Sequence, residues 1–212
     1  MTESTPTENT DNANPQVALE TGLGRIVIEV YEDRAPKNSA YFLGFVASGA
    51  YDGGSFYRAG ASVAADAHPA RIIQGGFLFN AATGEFSLEQ NGSPVKMLAD
   101  FETTEDSGIT HVYGTVSLAR DLFASGEGIP DFFICTGDSP VFDVNGRTEP
   151  DTRGFPAFGK VIEGMEVVEK IATQPTDGIS KTEAVKGQIL TAPAPIERAC
   201  RTHRTGMPAV SK

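Results

Sequence analysis

Cysteine and histidine are scarce in this 212-residue chain, and the familiar signatures of covalent or metal-assisted catalysis are missing. Cys135 and Cys200 are the only cysteines, so a disulfide framework is not indicated. Cys135 lies in an apolar run and reads as a small buried hydrophobe. His68, His111 and His203 stand in unlike contexts with no ligand spacing, which argues against a metal site. There is no Gly-x-Ser-x-Gly elbow, no phosphate-cradling loop ending in Lys-Ser or Lys-Thr, and no Gly-x-Gly-x-x-Gly after a strand. Any activity must therefore run on positioning and electrostatics, and no cofactor is expected. Positive charge is also short: 17 Lys and Arg face 28 Asp and Glu, a net charge of -11. Phosphates would be repelled, so neither nucleic acid nor an anionic membrane is expected as a general partner. No run approaches the ~20 apolar residues of a membrane span. The start, Met1 to Glu8, has neither the basic end nor the apolar core of a signal peptide. If Met1 is the true start the expectation is cytoplasmic; a chain trimmed of its leader would read the same way, and periplasmic then.

What is present points to one β-rich domain. Hydrophobic residues make up 40% of the chain, enough for a core, and 23 Gly with 13 Pro call for many turns. Residues 1–15 are polar with little to bury and read as a disordered tail; the domain spans 16–198, and 199–212 read as a second tail. Val17–Thr21 and Arg25–Tyr31 predict two strands joined by a Gly-rich turn. A helix follows from Pro36, with Tyr41, Phe42, Phe45 and Val46 as its core stripe and Gly49 as its stop. Asp52-Gly53-Gly54 turns into a strand through Phe56 and Arg58; Ala59–Ala70 lacks periodicity and reads as a loop. A strand over Arg71–Gly75 is followed by a long surface excursion from Asn80 to about Gly108. Strands at Val112–Ala119, Phe132–Thr136 and Phe155–Val161 enclose two loops, Asp121–Pro130 and the turn-rich Asp138–Arg153. The latter lacks the acidic spacing of a calcium loop. A second helix at Glu163–Thr173 packs through Met165, Val168, Ile171 and Ala172. The closing strand, Gln188–Ile196, carries Pro193 and Pro195 and so reads as an edge. About eight strands, two helices, no βαβ rhythm and no internal repeat predict a closed antiparallel barrel capped by helices.

Four motifs stand out in order: Ser55-Phe56-Tyr57-Arg58, Arg71-Ile72-Ile73-Gln74-Gly75-Gly76-Phe77, Gly114-Thr115-Val116-Ser117-Leu118-Ala119-Arg120 and Phe132-Phe133-Ile134-Cys135-Thr136. Gly-Gly after a strand lets backbone approach backbone where any Cβ would clash. With Phe158-Gly159-Lys160-Val161 and Glu163-Gly164-Met165, the chain resembles the cyclophilin family of peptidyl-prolyl isomerases from Val17 to Ile196, closest to its bacterial branch. The resemblance implies an eight-stranded antiparallel barrel with two capping helices and a proline-binding groove on the barrel's outer face. It places catalysis on Arg58, Gln74 and Phe133. It places substrate contacts on Phe56, Ile72, Ala119, Arg120, Asp131, Phe142 and Phe155. Read alone, Arg58 would be a surface ion-pair partner, Phe133 core and Gln74 part of a turn; Phe155 stands between groove and barrel packing. The partners implied are proline-containing unfolded or flexible polypeptides, and the activity is isomerisation of X-Pro bonds in protein folding. A binding module or assembly subunit with little turnover is the alternative. Arg71, where relatives usually carry a pocket-wall Phe, favours that alternative. So do Asp131, which replaces a usual Gln, and the inserted 59–70 segment; Val141 replaces a bulkier rim aromatic.

Overall fold

The computed structural model describes residues 14–62, 70–122 and 124–202. Residues 1–13 of the expected tail 1–15, residues 203–212 of the expected tail 199–212, His68 and His203, and residues 63–69 of the inserted segment lie outside the described residues.

Strands β1 (Gln16–Thr21) and β2 (Gly24–Val30) form the expected hairpin, and α1 (Pro36–Ala47) follows it. Ala35 offers α1 no side-chain cap. The Glu102 carboxylate takes over that role from far along the chain, accepting from the Lys37 and Asn38 amides at 3.0 Å each. Phe42, Leu43 and Val46 are the buried apolar residues of α1, while Tyr41 and Phe45 pack against the core partly buried. Next come β3 (Ser55–Ser62) and β4 (Ala70–Gly76), paired from Ser55↔Gly76 to Ser62↔Ala70. The expected loop at Ala59–Ala70 is therefore shorter: Ala59–Ser62 continue the strand, because each finds a partner in Ala70–Ile73.

The excursion after β4 carries two small hairpins, β5 (Phe79–Asn80) with β6 (Glu85–Phe86) and β7 (Glu89–Gln90) with β8 (Ser93–Pro94). It ends in a one-turn helix, α2 (Thr104–Ser107), that periodicity could not reveal. Thr103 and Asp106 cap α2 reciprocally, and Gly108 closes it at φ 66°. Then follow β9 (Thr115–Arg120), β10 (Gly128–Cys135), β11 (Ala157–Glu163), α3 (Met165–Ala172) and β12 (Ile189–Thr202).

Eight strands close into an antiparallel barrel in the order β1-β12-β3-β4-β10-β9-β11-β2. This is the expected architecture, and α1 and α3 pack against it on different strands, α1 on β10 to β12 and α3 on β2 to β4. β12 is not an edge strand. Its first half pairs with β3, up to Pro195↔Ser55, and its second half pairs with β1, from Ile196 to Thr202. The prolines sit in the half that has no β1 partner, beside a register shift, so their missing N–H groups break no ladder there. Because Ala199–Thr202 pair with Gln16–Leu19, the barrel also reaches past the expected 198 boundary into the supposed C-terminal tail. Among the described residues no helix is long and apolar enough to cross a membrane.

The barrel interior is filled by aliphatic side chains around stacked aromatics. Phe42 lies 4.6 Å from Phe158 and 5.5 Å from Phe132, and Phe56 lies 5.8 Å from Phe132. Period-two alternation splits β10 and β4 cleanly: Phe132, Ile134 and Ile73 point inward, whereas Phe133, Cys135 and Ile72 join a separate outer cluster. Phe56 belongs to the interior, fully buried, and not to a substrate site as the motif implied.

The Gly-Gly run has the steric role expected of it. A Cβ on Gly75 would lie 2.8 Å from the Phe56 ring, and one on Gly76 would lie 1.9 Å from the Asp131 carboxylate, with Gly76 at φ 151°. Gly76→Ala should therefore lower stability by at least the ~1–3 kcal/mol of an overpacked interior. Urea unfolding of the variant measures this, and an unchanged midpoint would show that the strand end relaxes freely.

Candidate active site

A cavity of about 380 Å³ opens on the outer face of the barrel where β3, β4, β9 and β10 lie side by side. Its floor is the Phe133 ring, with Phe142 at 4.8 Å and Phe155 at 5.5 Å standing against it. Ile72 and Ala119 add aliphatic walls. These side chains are apolar, almost dry, and shaped by three rings, which suits a small aliphatic ring.

One irregularity of β3 decides the polar wall. Phe56 pairs with Gly75 and Arg58 with Gln74, so Tyr57 is an extra residue, a β-bulge. Phe56 and Ala59 point inward, and the bulge leaves two consecutive side chains, Tyr57 and Arg58, on the outer face. Arg58 lines the cavity opposite the rings. Its Nη1 donates to Gln74 Oε1 at 2.7 Å, while Nε and Nη2 donate to Gln188 Oε1 at 2.9 and 2.7 Å. A guanidinium has five N–H groups. Among the described residues this leaves two uncommitted, one on each terminal nitrogen. Burial pushes the Arg58 pKa below its ordinary value, opposed by Tyr57.

Gln74, nearly buried, is held from its other end: Nε2 donates to the Tyr57 hydroxyl at 2.7 Å. Tyr57 in turn donates to Asp131 Oδ2 at 2.7 Å. Its ring is clamped by Phe79 at 4.7 Å and Phe86 at 5.6 Å. Asp131 is fully buried behind this chain and accepts at Oδ1 from the Phe77 and Leu78 amides, at 3.0 and 3.2 Å. It does not reach the cavity, contrary to the substrate contact that the resemblance implied.

Arg120 is placed at the cavity as expected, but four of its five N–H donors are spent on the protein. Nη1 and Nη2 form a bidentate pair with Asp151 at 3.0 and 2.6 Å, and Nε and Nη1 also reach the Gly126 and Gly154 carbonyls at 2.7 Å. It ties two loops together, and beside it Arg147 lies over the Phe142 and Phe155 rings at 5.4 and 5.0 Å. Under the floor, His111 stacks on Phe133 at 5.7 Å with Nδ1 against Asp143 Oδ1 at 2.7 Å. Burial lowers its pKa and Asp143 opposes the shift.

Eight of the ten expected site residues thus line one cavity: Arg58, Gln74, Phe133, Ile72, Ala119, Arg120, Phe142 and Phe155. Phe155 lines the cavity and also belongs to the outer aromatic cluster, so neither of its two readings stood alone. Arg71 is exposed and lies away from the cavity, its side chain alongside Gly137, and Val141 is buried in the outer cluster behind the lining. Sequence reasoning missed Tyr57, which alternation turns inward, and Gln188, which carries no local signal. It also missed the far wall, formed by Leu78, Phe86 and Leu88 with Thr182, Ala184 and Val185.

The barrel and groove define the class, and comparison with known proteins places the chain in it. Residues 16–193 match the family described as cyclophilin type peptidyl-prolyl cis-trans isomerase/CLD. The peptidyl-prolyl cis-trans isomerase of Acinetobacter baylyi is 32% identical over 164 residues, 77% of this chain and 75% of that protein. One from Streptomyces antibioticus is 33% identical over 155 residues, 73% and 81% of the two chains. A crystal structure of a Cryptosporidium parvum cyclophilin, determined in the presence of the dipeptide Ala-Pro, shares the fold with TM-score 0.63. The match covers 89% of this chain and 99% of that one at 21% identity. The chain is a member of the cyclophilin-type peptidyl-prolyl cis-trans isomerase family.

The Arg120–Asp151 pair yields a stability prediction. Removing the carboxylate leaves a buried guanidinium without its counter-charge, since the Arg120 side chain is 0% exposed and that of Asp151 32%. Asp151→Ala should therefore cost somewhat less than the ~3–5 kcal/mol typical of breaking a fully buried pair. Arg120 holds the Asp151 pKa below its ordinary 3.8, so the pair stabilises above that pH and the contribution is lost on acidification. Thermal melts of both proteins in a series from neutrality down through and well below pH 3.8 measure this; a gap that does not narrow as the pH falls below 3.8 would refute it.

Proposed function

We propose that this protein catalyses cis–trans isomerisation of X-Pro bonds in unfolded or flexible polypeptides, with Arg58 as the group acting on the reacting bond. The observation that carries the reading is the placement, in one cavity, of a cationic donor with two N–H groups uncommitted among the described residues and an apolar floor of three aromatic rings.

Resonance holds the X-Pro amide planar behind a barrier of ~18–20 kcal/mol, and spontaneous exchange takes tens of seconds or longer. Rotation breaks that resonance and returns a lone pair to the prolyl nitrogen. A donor aimed at the nitrogen finds little to bind in the planar amide and a real acceptor in the twisted one. It thereby stabilises the transition state selectively. Phe133, Phe142, Phe155 and Ile72 hold the proline ring fixed while the preceding carbonyl turns. Gln74 and Gln188 hold Arg58, so its direction is set before substrate arrives. No proton is transferred and no bond is broken, so the site needs neither nucleophile nor general base. The apolar far wall, with Phe86 and Leu88 each 37% exposed, offers contact area for the chain on either side of the proline.

Exchange NMR on a proline peptide tests the reading with the wild type and Arg58→Ala side by side. Loss of a single preorganised donor typically costs about 10²–10³ in rate. The variant should lose that much acceleration while peptide affinity changes little. A folded wild type that does not accelerate exchange would end the catalytic claim.

A further inference from the structure

Behind Arg58 runs a chain of hydrogen bonds with one direction throughout. Arg58 Nη1 donates to Gln74 Oε1, Gln74 Nε2 to Tyr57 Oη, and Tyr57 to Asp131 Oδ2, each at 2.7 Å. Tyr57 and Asp131 are fully buried and Gln74 nearly so, so none of the inner links can be exchanged for water. We propose that Asp131 is a positioning residue for the isomerase reaction: its ionised carboxylate sets the direction of the chain and so turns the Gln74 carbonyl toward Arg58. The inference rests on the isomerase reading for its effect on rate, and on the hydrogen-bond chain alone for its structural effect.

Donor and acceptor counts fix the direction of the chain. An ionised carboxylate only accepts. Tyr57 must then donate to it, which leaves the Tyr57 oxygen to accept from Gln74 Nε2 and leaves Gln74 Oε1 for the guanidinium. Protonation changes each step. Oδ1 already accepts two backbone amides, so the proton goes to Oδ2. Oδ2–H donates to Tyr57, and the Tyr57 proton is left with Gln74 as its only polar neighbour in the chain. Either that proton is orphaned in a buried site, or Gln74 turns over and presents an NH2 to a guanidinium. Both outcomes weaken the grip on Arg58.

The surroundings make such titration accessible. Burial pushes the Asp131 pKa up to about 6, held back by its bonds from Tyr57 and the Leu78 and Phe77 amides. Tyr57 and Asp131 share the β3 and β10 faces. The other ionisable side chains that sense this carboxylate are Tyr51 and, from α1, Tyr41, both with pKa values raised by burial and thus neutral throughout. Arg58 stands at the far end of the chain and stays cationic. His111 lies on the other side of Phe133 and bonds to Asp143, outside this chain.

The test is isomerisation by exchange NMR from pH ~5 to ~8 with wild type, Asp131→Asn and Tyr57→Phe. The same samples are read for the Arg58 Nε–H and Gln74 side-chain NH2 resonances. Wild-type kcat/KM should fall about tenfold on acidification, equivalent to ~1.4 kcal/mol of barrier, with a midpoint near 6 and little change in KM. Asp131→Asn, which mimics the protonated carboxyl, should be slow at every pH and lose that step, with a melting temperature at least equal to the wild type's. Tyr57→Phe should be slow and free of the step too. The Arg58 and Gln74 resonances should titrate near 6 in the wild type and not in Asp131→Asn. A flat wild-type profile, or a step that survives in Asp131→Asn, overturns the proposal. If no isomerase activity is found at any pH, the isomerase reading fails, and the two resonances alone decide whether Asp131 directs the chain.

Discussion

A single extra residue in β3 governs the outer face of this barrel. Without the bulge at Tyr57, strict alternation would send either Tyr57 or Arg58 into an interior already filled by Phe56, Phe132 and Ala59. With it, both emerge together, one to meet Asp131 and Gln74 and the other to face the aromatic floor. The bulge requires β3 and β4 to remain in close contact on both sides of it. That contact depends in turn on Gly75 and Gly76, whose missing side chains leave room for the Phe56 ring and the Asp131 carboxylate. Backbone geometry, more than any one side chain, places the chemistry.

The barrel and its groove draw on separate sets of residues from the same strands. Inward positions of β3, β4 and β10 build one aromatic and aliphatic core, and outward positions build the cluster around Phe133. The outer cluster is kept dry by loops that are themselves tied down by charge: Arg120 binds Asp151 and two loop carbonyls, and Glu102 caps α1 while Asn38 bonds back to the same segment. An acidic protein thus gathers Arg58, Arg120 and Arg147 at one cavity, with Asp121 the only carboxylate lining it among the described residues. The three cations make different contacts: Arg120 binds Asp151 and two loop carbonyls, Arg147 donates Nε to the Val141 carbonyl and lies over the Phe142 and Phe155 rings, and Arg58 is held from behind by Gln74 and Gln188.

Much of this was legible in the chain. Alternation, helical spacing and glycine placement located the barrel strands and both long helices. The ordered motifs named eight residues that meet at one cavity. The readings that failed did so for identifiable reasons. Proline in the closing strand argues for an edge on the assumption that an interior strand is paired on both sides along its whole length, whereas β12 serves its two neighbours in succession. Phe56 shares a motif with Arg58, but the bulge separates their directions. Asp131 is next to groove residues in sequence and behind them in space. Gln188 is 130 positions from the arginine it holds.

By itself, then, the sequence determined the class of fold, the family, and which side chains are suited to stabilising a twisted amide, because these follow from local pattern and residue chemistry. Only the tertiary structure decided how those side chains are aimed. Register shifts, the seating of Asp131 beneath Gly76, and the grip of Gln188 on Arg58 arise where distant strands pair. No local pattern records a hydrogen bond whose two ends lie at opposite ends of the chain.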